Sequence, residues 1–135
     1  MKLTITFPHP PSLLSLNGSM PTDPRAASAR NRARIGVKMK TRDAAFVEAN
    51  QAMHYMPQRN FPAKRVEVLW YYKGIKPDVD GIVTRCKALL DGCAKAFGVD
   101  DRDFEDIRVR RVHTLGEKAK TVDITFDTET ETLPC

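Results

Sequence analysis

Four acidic residues flank the most regular helical pattern in the sequence. Asp78 and Asp80 precede an apolar stripe that predicts a helix over residues 81–97, and Asp100 and Asp101 follow it. Residues two apart in an extended segment point the same way, so we expect the carboxylates of Asp78 and Asp80 to lie together. The second pair joins them if the chain returns antiparallel after the helix. The four residues would then form one acidic cluster.

A carboxylate cluster suits Mg²⁺, a hard cation that prefers oxygen ligands and keeps several waters. Bound Mg²⁺ lowers the pKa of a coordinated water and stabilises charge on phosphoryl oxygens, which is the chemistry of phosphodiester hydrolysis. The same residues also have an ordinary structural explanation. Asp before a helix is a common N-cap, and Asp-Asp after a helix-ending Gly98 is a common loop. Residue type and spacing alone leave both explanations open.

The elements that must position these acids alternate between strands and helices. Periodicity predicts strands at 3–7, 66–72, 104–114 and 122–126, and helices at 43–56 and 81–97. Polar residues around Gly116 favour a hairpin turn between the last two strands. The order is β-loop-α-β-α-β-β, which predicts an α/β (α+β) domain whose mixed sheet has its helices packed on one side.

Length and composition fit one domain over residues 1–127, followed by a frayed acidic tail at 128–135. No apolar run is long enough to span a bilayer, and the first residues alternate like a strand rather than forming a signal peptide's apolar block. We therefore expect a cytoplasmic protein. Cys86 and Cys93 fall on the apolar face of the second helix, which predicts buried core thiols.

The net charge of +5 favours polyanionic partners such as DNA. Between Asp23 and Asp43 the chain carries only basic charges, and its apolar pattern is poor. We predict a mobile loop over residues 12–41 that orders on a partner by contacting phosphates. The candidate DNA-binding residues are Arg30, Arg32, Arg34, Lys38, Lys40 and, in the second helix, Arg85.

Three segments together resemble the RusA family of Holliday junction resolvases. They are Lys76-Pro77-Asp78-Val79-Asp80, Lys87-Ala88-Leu89-Leu90-Asp91-Gly92 and Val99-Asp100-Asp101-Arg102-Asp103. The N-terminal strand broken by Pro10-Pro11-Ser12 also fits that family. The resemblance implies a RusA-like fold and a homodimer that binds four-way junction DNA in recombination and repair. It also implies paired symmetric nicks that depend on Mg²⁺, for which Mn²⁺ is expected to substitute. It implies no membrane and no small-molecule substrate.

Carried over by position, Asp78, Asp80 and Asp101 match the family's metal-binding catalytic aspartates. Asp100 matches the first acid of the pair, and it supports these aspartates or binds the metal directly. Lys87 matches the helical lysine that assists at the phosphate.

The sequence departs from the family at two positions. Gly81 replaces the Asn after the second aspartate, and Thr84 stands where the lysine commonly falls. Lys87 aligns only across three extra residues, and Arg85 is its rival as the basic catalytic partner. Three residues are nearly one turn, so Lys87 stays on the Asp80 face if the helix starts that early.

Two other functions remain open on the sequence alone: a non-catalytic branched-DNA-binding protein of the same fold, or a nuclease for flaps or other branched DNA. If the resolvase assignment is right, Asp80→Asn keeps junction binding and loses cleavage.

Overall fold

Four strands form one mixed sheet in the computed structural model, which describes residues 1–14, 22–54, 56 and 60–129. The strands are β1 (Lys2–Pro8), β2 (Arg65–Tyr72), β3 (Asp106–His113) and β4 (Thr121–Asp127), and the helices are α1 (Pro24–Met53) and α2 (Val79–Phe97). Short 3₁₀ helices occupy Ser12–Leu14, Asp101–Asp103 and Glu117–Lys120. The mixed α/β class predicted from the sequence is confirmed.

The strands lie in the order β1-β4-β2-β3. Strand β4 pairs antiparallel with both β1 and β2, whereas β3 pairs parallel with β2. The predicted hairpin between the last two strands is therefore wrong, because β2 lies between β3 and β4. Gly116 does adopt a positive φ of 84°, but it leads into a 3₁₀ helix instead of a tight hairpin turn. The segment carries the chain past β2 to the other side.

One face of the sheet forms one side of the core. Val66, Val68 and Trp70 alternate along β2 and are almost completely buried, and they cluster with buried residues of both helices. The apolar stripe of α2 faces this cluster. Cys86 and Cys93 lie within it, as predicted, and burial raises the pKa of each thiol to about 12.

Helix α1 begins at Pro24 and runs without interruption to Met53. The predicted mobile loop over 12–41 is therefore wrong for residues 24–41, and residues 15–21 lie outside the described part of the chain. The Asp23 side chain accepts a hydrogen bond from the backbone N–H of Arg25 (3.0 Å), and Pro24 has a φ suited to the first turn. The segment has no apolar stripe because its N-terminal half buries little surface, so its periodicity carried no signal.

The two helices pack closely against each other where both carry small residues. A Cβ at Gly92 of α2 would collide with the backbone carbonyl oxygen of Arg42 and would lie 2.9 Å from the Cβ of Ala45. Helix α2 ends at Gly98, whose φ of 74° is the left-handed conformation that the predicted stop requires. The close contact at Gly92 fixes where the two helices pack against each other.

The two ends of the described chain meet at the edge of the sheet. Thr128 donates its backbone N–H to the carbonyl of Met1 (3.0 Å), and Glu129 donates to the carboxylate of Asp127 (3.0 Å). Residues 130–135 of the predicted tail lie outside the described residues. Among the helices that the structure describes, none is both long enough and apolar enough to cross a membrane.

Candidate functional site

Asp78 and Asp80, the N-terminal acids, lie where α2 begins. Asp78 occupies the N-cap position with an extended backbone, but its side chain makes no capping hydrogen bond. Asp80 is already in the first helical turn, so the expectation that both residues share an extended segment is wrong. Arg111 of β3 donates to the carbonyl of Pro77 (3.0 Å) and holds the preceding loop against the sheet. Both carboxylates are exposed.

Asp100 caps the short 3₁₀ helix that follows α2. Its side chain accepts hydrogen bonds from the backbone N–H of Arg102 (3.0 Å) and from the Arg102 guanidinium (3.1 Å). These contacts lower the pKa of Asp100 to about 2. Asp103 completes a reciprocal capping box by accepting the backbone N–H of Asp100 (3.0 Å). The Asp100 carboxylate therefore fixes the local backbone, including that of its neighbour Asp101.

Asp101 lies against two other carboxyl groups. Hydrogen bonding with Asp100 and Asp91 raises its pKa, and the negative charges of both neighbours add to the shift. Asp91 lies on α2, about three turns after Asp80. Its contact with Asp101 brings the helix together with the segment that follows it. Asp91, Asp100 and Asp101 are called the C-terminal acids below. Their crowding is a feature that a bound cation would relieve.

The N-terminal acids lie at the start of α2, whereas the C-terminal acids lie about three turns further along it and beyond its end. Asp91 follows Asp80 by eleven residues, which corresponds to about 16 Å along the helix axis. The antiparallel return that would bring the acids together does not occur, because β3 runs parallel to β2 and its start pairs with Arg65 rather than with Tyr72. In the described residues no three His, Cys, Asp or Glu side chains are arranged to hold a metal ion. One chain therefore does not bring Asp78 and Asp80 to Asp101.

The C-terminal acids line one end of a groove between α1 and α2, with a cavity of about 520 Å³. Lys87 and Asp91, one turn apart on α2, form one wall, and Lys38 and Arg42 of α1 contribute to the other. Because α2 begins at Val79, the condition for Lys87 and Asp80 to share a helix face is met. Asp91 was not among the predicted site residues, although its place on the same stripe was a signal for it.

Arg85 lies outside the groove. Its guanidinium donates two hydrogen bonds to the carbonyl of Pro10, one of them at 2.9 Å, and stands 4.8 Å above the ring of Trp70. His9 stacks on the same ring at 4.0 Å, and burial lowers the pKa of this histidine. Arg85 thus anchors the segment after β1 to the sheet. Of the two candidate basic partners, Lys87 is the one beside the C-terminal acids.

Helix α1 divides the predicted DNA-binding residues between two faces. Arg34 and Lys38 line a second cavity against Thr84 and Lys87 of α2. Arg32 and Lys40 are exposed and each lies two residues, about 200° around the helix, from its neighbour in the cavity. Arg30, the remaining predicted DNA-binding residue of α1, is half-buried near the start of the helix. The basic run is therefore two surfaces, of which one faces α2.

Comparison of the chain with models of known protein families found no match, and comparison with curated proteins found no significantly similar sequence.

Proposed function

We propose that this chain is a Mg²⁺-dependent endodeoxyribonuclease that resolves four-way DNA junctions as a homodimer of RusA-like subunits. The observation that carries the proposal is the groove in which Lys87 and Asp91 stand beside Asp101, facing cations of α1. Acids that can hold a divalent cation, with basic groups directly beside them, can catalyse phosphodiester hydrolysis. The resemblance to junction resolvases supplies the substrate.

The separation of the acids gives the dimer a specific role. The resemblance assigns Asp78, Asp80 and Asp101 to one metal, but in one chain about 16 Å of helix separates Asp80 from Asp91, the residue beside Asp101. All three side chains are exposed and can be reached by a second copy. The proposed metal site therefore combines Asp78 and Asp80 of one subunit with Asp101 of its partner. A two-fold dimer then carries two identical sites, which suits symmetric nicking.

The donor set fits magnesium. Every proposed ligand is a carboxylate, which is the ligand type that a hard cation prefers. Hydrogen bonding with Asp100 and Asp91 raises the pKa of Asp101, and the negative charge of both neighbours adds to the shift, so this end of the groove gathers carboxyl groups that a divalent cation could bind. When bound, Mg²⁺ would supply an activated water and neutralise charge on the phosphoryl oxygens. Mn²⁺ has similar ligand preferences and is expected to substitute.

The chain's own side chains have separate tasks in this proposal. Asp100 is committed to its cap and to Arg102, so it positions Asp101 instead of binding the metal. Asp91 crowds Asp101 from α2 and adds a carboxylate to that half of the site. Lys87 lies in the same groove and can donate to a phosphate oxygen as negative charge develops.

A synthetic four-way junction tests the activity. With Mg²⁺ we expect paired nicks that convert the junction into two linear duplexes, and in chelator we expect binding without cleavage. Failure to cut with either Mg²⁺ or Mn²⁺ would favour the alternative of a non-catalytic branched-DNA-binding protein, which Gly81 and Thr84 would suit. Equal cleavage of flaps and other branched DNA in the same panel would identify a broader nuclease.

Mixing two inactive variants tests the shared site. Asp80→Asn and Asp101→Asn should each bind the junction and fail to cut it. If the site is shared, a mixed dimer carries one site with both changes and one intact site, so exchange of subunits restores about a quarter of the nicking capacity. If each site lies within one chain, the mixture stays inactive, and the shared-site assignment is wrong.

A further inference from the structure

The two cavities between α1 and α2 belong to one continuous groove. Lys38 and Lys87 line both of them. The cavity of about 520 Å³ extends to the C-terminal acids, and the second cavity extends toward Arg34 and Leu14. The groove therefore follows the line where the helices pack, and its acids lie only at one end. We refer to the whole feature as the interhelical groove.

Cations recur along the α1 wall of the interhelical groove. Arg34, Lys38 and Arg42 are four residues apart, so consecutive cations are displaced by about 6 Å along the helix axis. Arg34 is held in place by a hydrogen bond to the carbonyl of Leu14 (3.4 Å). The row therefore presents evenly spaced positive charge to anything that lies in the groove. A polyanion with regularly repeating charges is the complementary partner.

Arg42 has a further feature that favours an anion. Its Nε is the one buried side-chain nitrogen or oxygen in the described part of the chain without a hydrogen-bond partner. A guanidinium whose donors are incompletely used is destabilised by burial, and a nearby phosphate offsets this cost. Arg42 lies beside Asp91 and Asp101, where a bound backbone would reach the proposed metal site.

The width of the interhelical groove limits what can enter it. Helix axes in contact are about 8–10 Å apart, and the absence of a side chain at Gly92 keeps these two close. The interhelical groove is therefore narrower than the major groove of B-DNA, which is about 12 Å wide and is itself only part of the width of a duplex. A whole duplex does not fit into such a groove, whereas one sugar-phosphate backbone does. Grooves of this kind with basic walls track single strands in other proteins.

We propose that the interhelical groove binds the phosphates of one unpaired DNA strand and leads it toward the C-terminal acids. This inference rests on the proposed function for the meaning of the acidic end, but not for binding itself. It assigns the substrate of the groove as a strand that has separated from its complement at a branch point. Arg34, Lys38 and Arg42 make the phosphate contacts, while Arg32 and Lys40 on the opposite face do not.

Fluorescence anisotropy in chelator tests the proposal without any cleavage. The probes are a short labelled single strand and a blunt duplex of the same sequence, titrated with the full chain at several salt concentrations. For Lys38→Ala we expect several-fold weaker binding of the single strand and a salt-dependence slope reduced by about 0.7, the value for one lost phosphate contact. Duplex binding should change less. Lys38 and Lys40, the residue changed in the control below, are both exposed, so neither substitution threatens the fold, and thermal melting checks this.

Lys40→Ala is the matched control, since it removes the same charge from the same helix on the opposite face. Equal weakening by Lys38→Ala and Lys40→Ala would overturn the proposal, because binding would then follow net charge alone. An equal loss of duplex and single-strand affinity in Lys38→Ala would overturn it as well. A chain that never cuts junctions but shows the expected difference would refute the nuclease function and leave the strand-binding groove intact.

Discussion

Gly92 of α2 faces the backbone carbonyl of Arg42 so closely that a single methyl group does not fit between the two helices. The contact lies beside Asp91 and beside the cations of α1, so it sets both the packing of the helix pair and the width of the groove. The neighbouring Ala45 Cβ leaves no room on the other side, at 2.9 Å from the position of a Cβ at Gly92.

Gly92→Ala should destabilise the protein. The added methyl must push the helices apart, and overpacking of this kind costs about 1–3 kcal/mol, more than alanine returns through its better helix propensity. Chemical denaturation measures the change in the free energy of unfolding. Gly36→Ala is the control, because nothing lies within 4 Å of a Cβ there. This change should stabilise α1 by about 0.5–1 kcal/mol. A neutral or stabilising Gly92→Ala would contradict the close packing.

Lys87 and Arg85 should separate in their effects. Lys87→Ala should leave the free energy of unfolding within about 0.5 kcal/mol of its original value, because the side chain is exposed. It should slow junction cleavage by about 100-fold, as expected for loss of one group that stabilises developing charge. The measurements are denaturation and single-turnover cleavage of a bound junction.

Arg85→Ala should do the opposite. Loss of its hydrogen bonds to Pro10 and its contact with Trp70 should cost about 1–3 kcal/mol of stability, while the folded fraction still cuts. If Arg85→Ala instead abolishes cleavage without loss of stability, Arg85 and not Lys87 is the basic catalytic partner.

Protonation of Asp127 should make the protein less stable in acid. Its carboxylate accepts the backbone N–H of Glu129 (3.0 Å) and pairs with Arg65 (2.9 Å), and together these lower its pKa in the folded state. A group with a lowered folded-state pKa stabilises the protein above its unfolded pKa, about 3.9, and this stability is lost as pH falls through the folded pKa. Asp127→Asn should therefore destabilise the neutral protein and reduce the loss of stability below about pH 4.

Thermal melting at a series of pH values from neutral to acid measures how the stability depends on pH. Asp106→Asn is the comparison, since it removes an exposed ion pair with Arg108 on a strand of the same sheet and is expected to have a small effect. Identical acid dependence in Asp127→Asn and the unchanged protein would exclude a stabilising role for this carboxylate.

Elements that bury an apolar face were predictable from the sequence. The stripe of α2 and the alternation along β2 both locate the core, because burial imposes a period on the residues. The first half of α1 buries little and so has no period. Its signals were local instead: a capping Asp23 followed by Pro24, then many Ala, Arg and Lys residues with good helix propensity.

The partners of each strand were harder to predict. Turn residues around Gly116 indicate that the chain changes direction, but not how far it travels before it pairs again. For the same reason the sequence suggested that the acids flanking α2 meet, whereas the parallel pairing of β2 and β3 places them at opposite ends of the helix. The residue types of the candidate site were visible in the sequence, and their distances depended on topology.

The pairing of β1 with β4 has a consequence for synthesis of the chain. Every residue of β1 from Lys2 to Pro8 has its partner between Thr121 and Asp127, so β1 cannot pair with β4 until more than a hundred further residues have been made. During translation the apolar residues Ile5 and Phe7 have no sheet to join until nearly the whole described chain has left the ribosome. Pairing at such sequence separation also slows folding of the released chain. Until β4 is made, these apolar side chains stay exposed, which favours aggregation of the nascent chain.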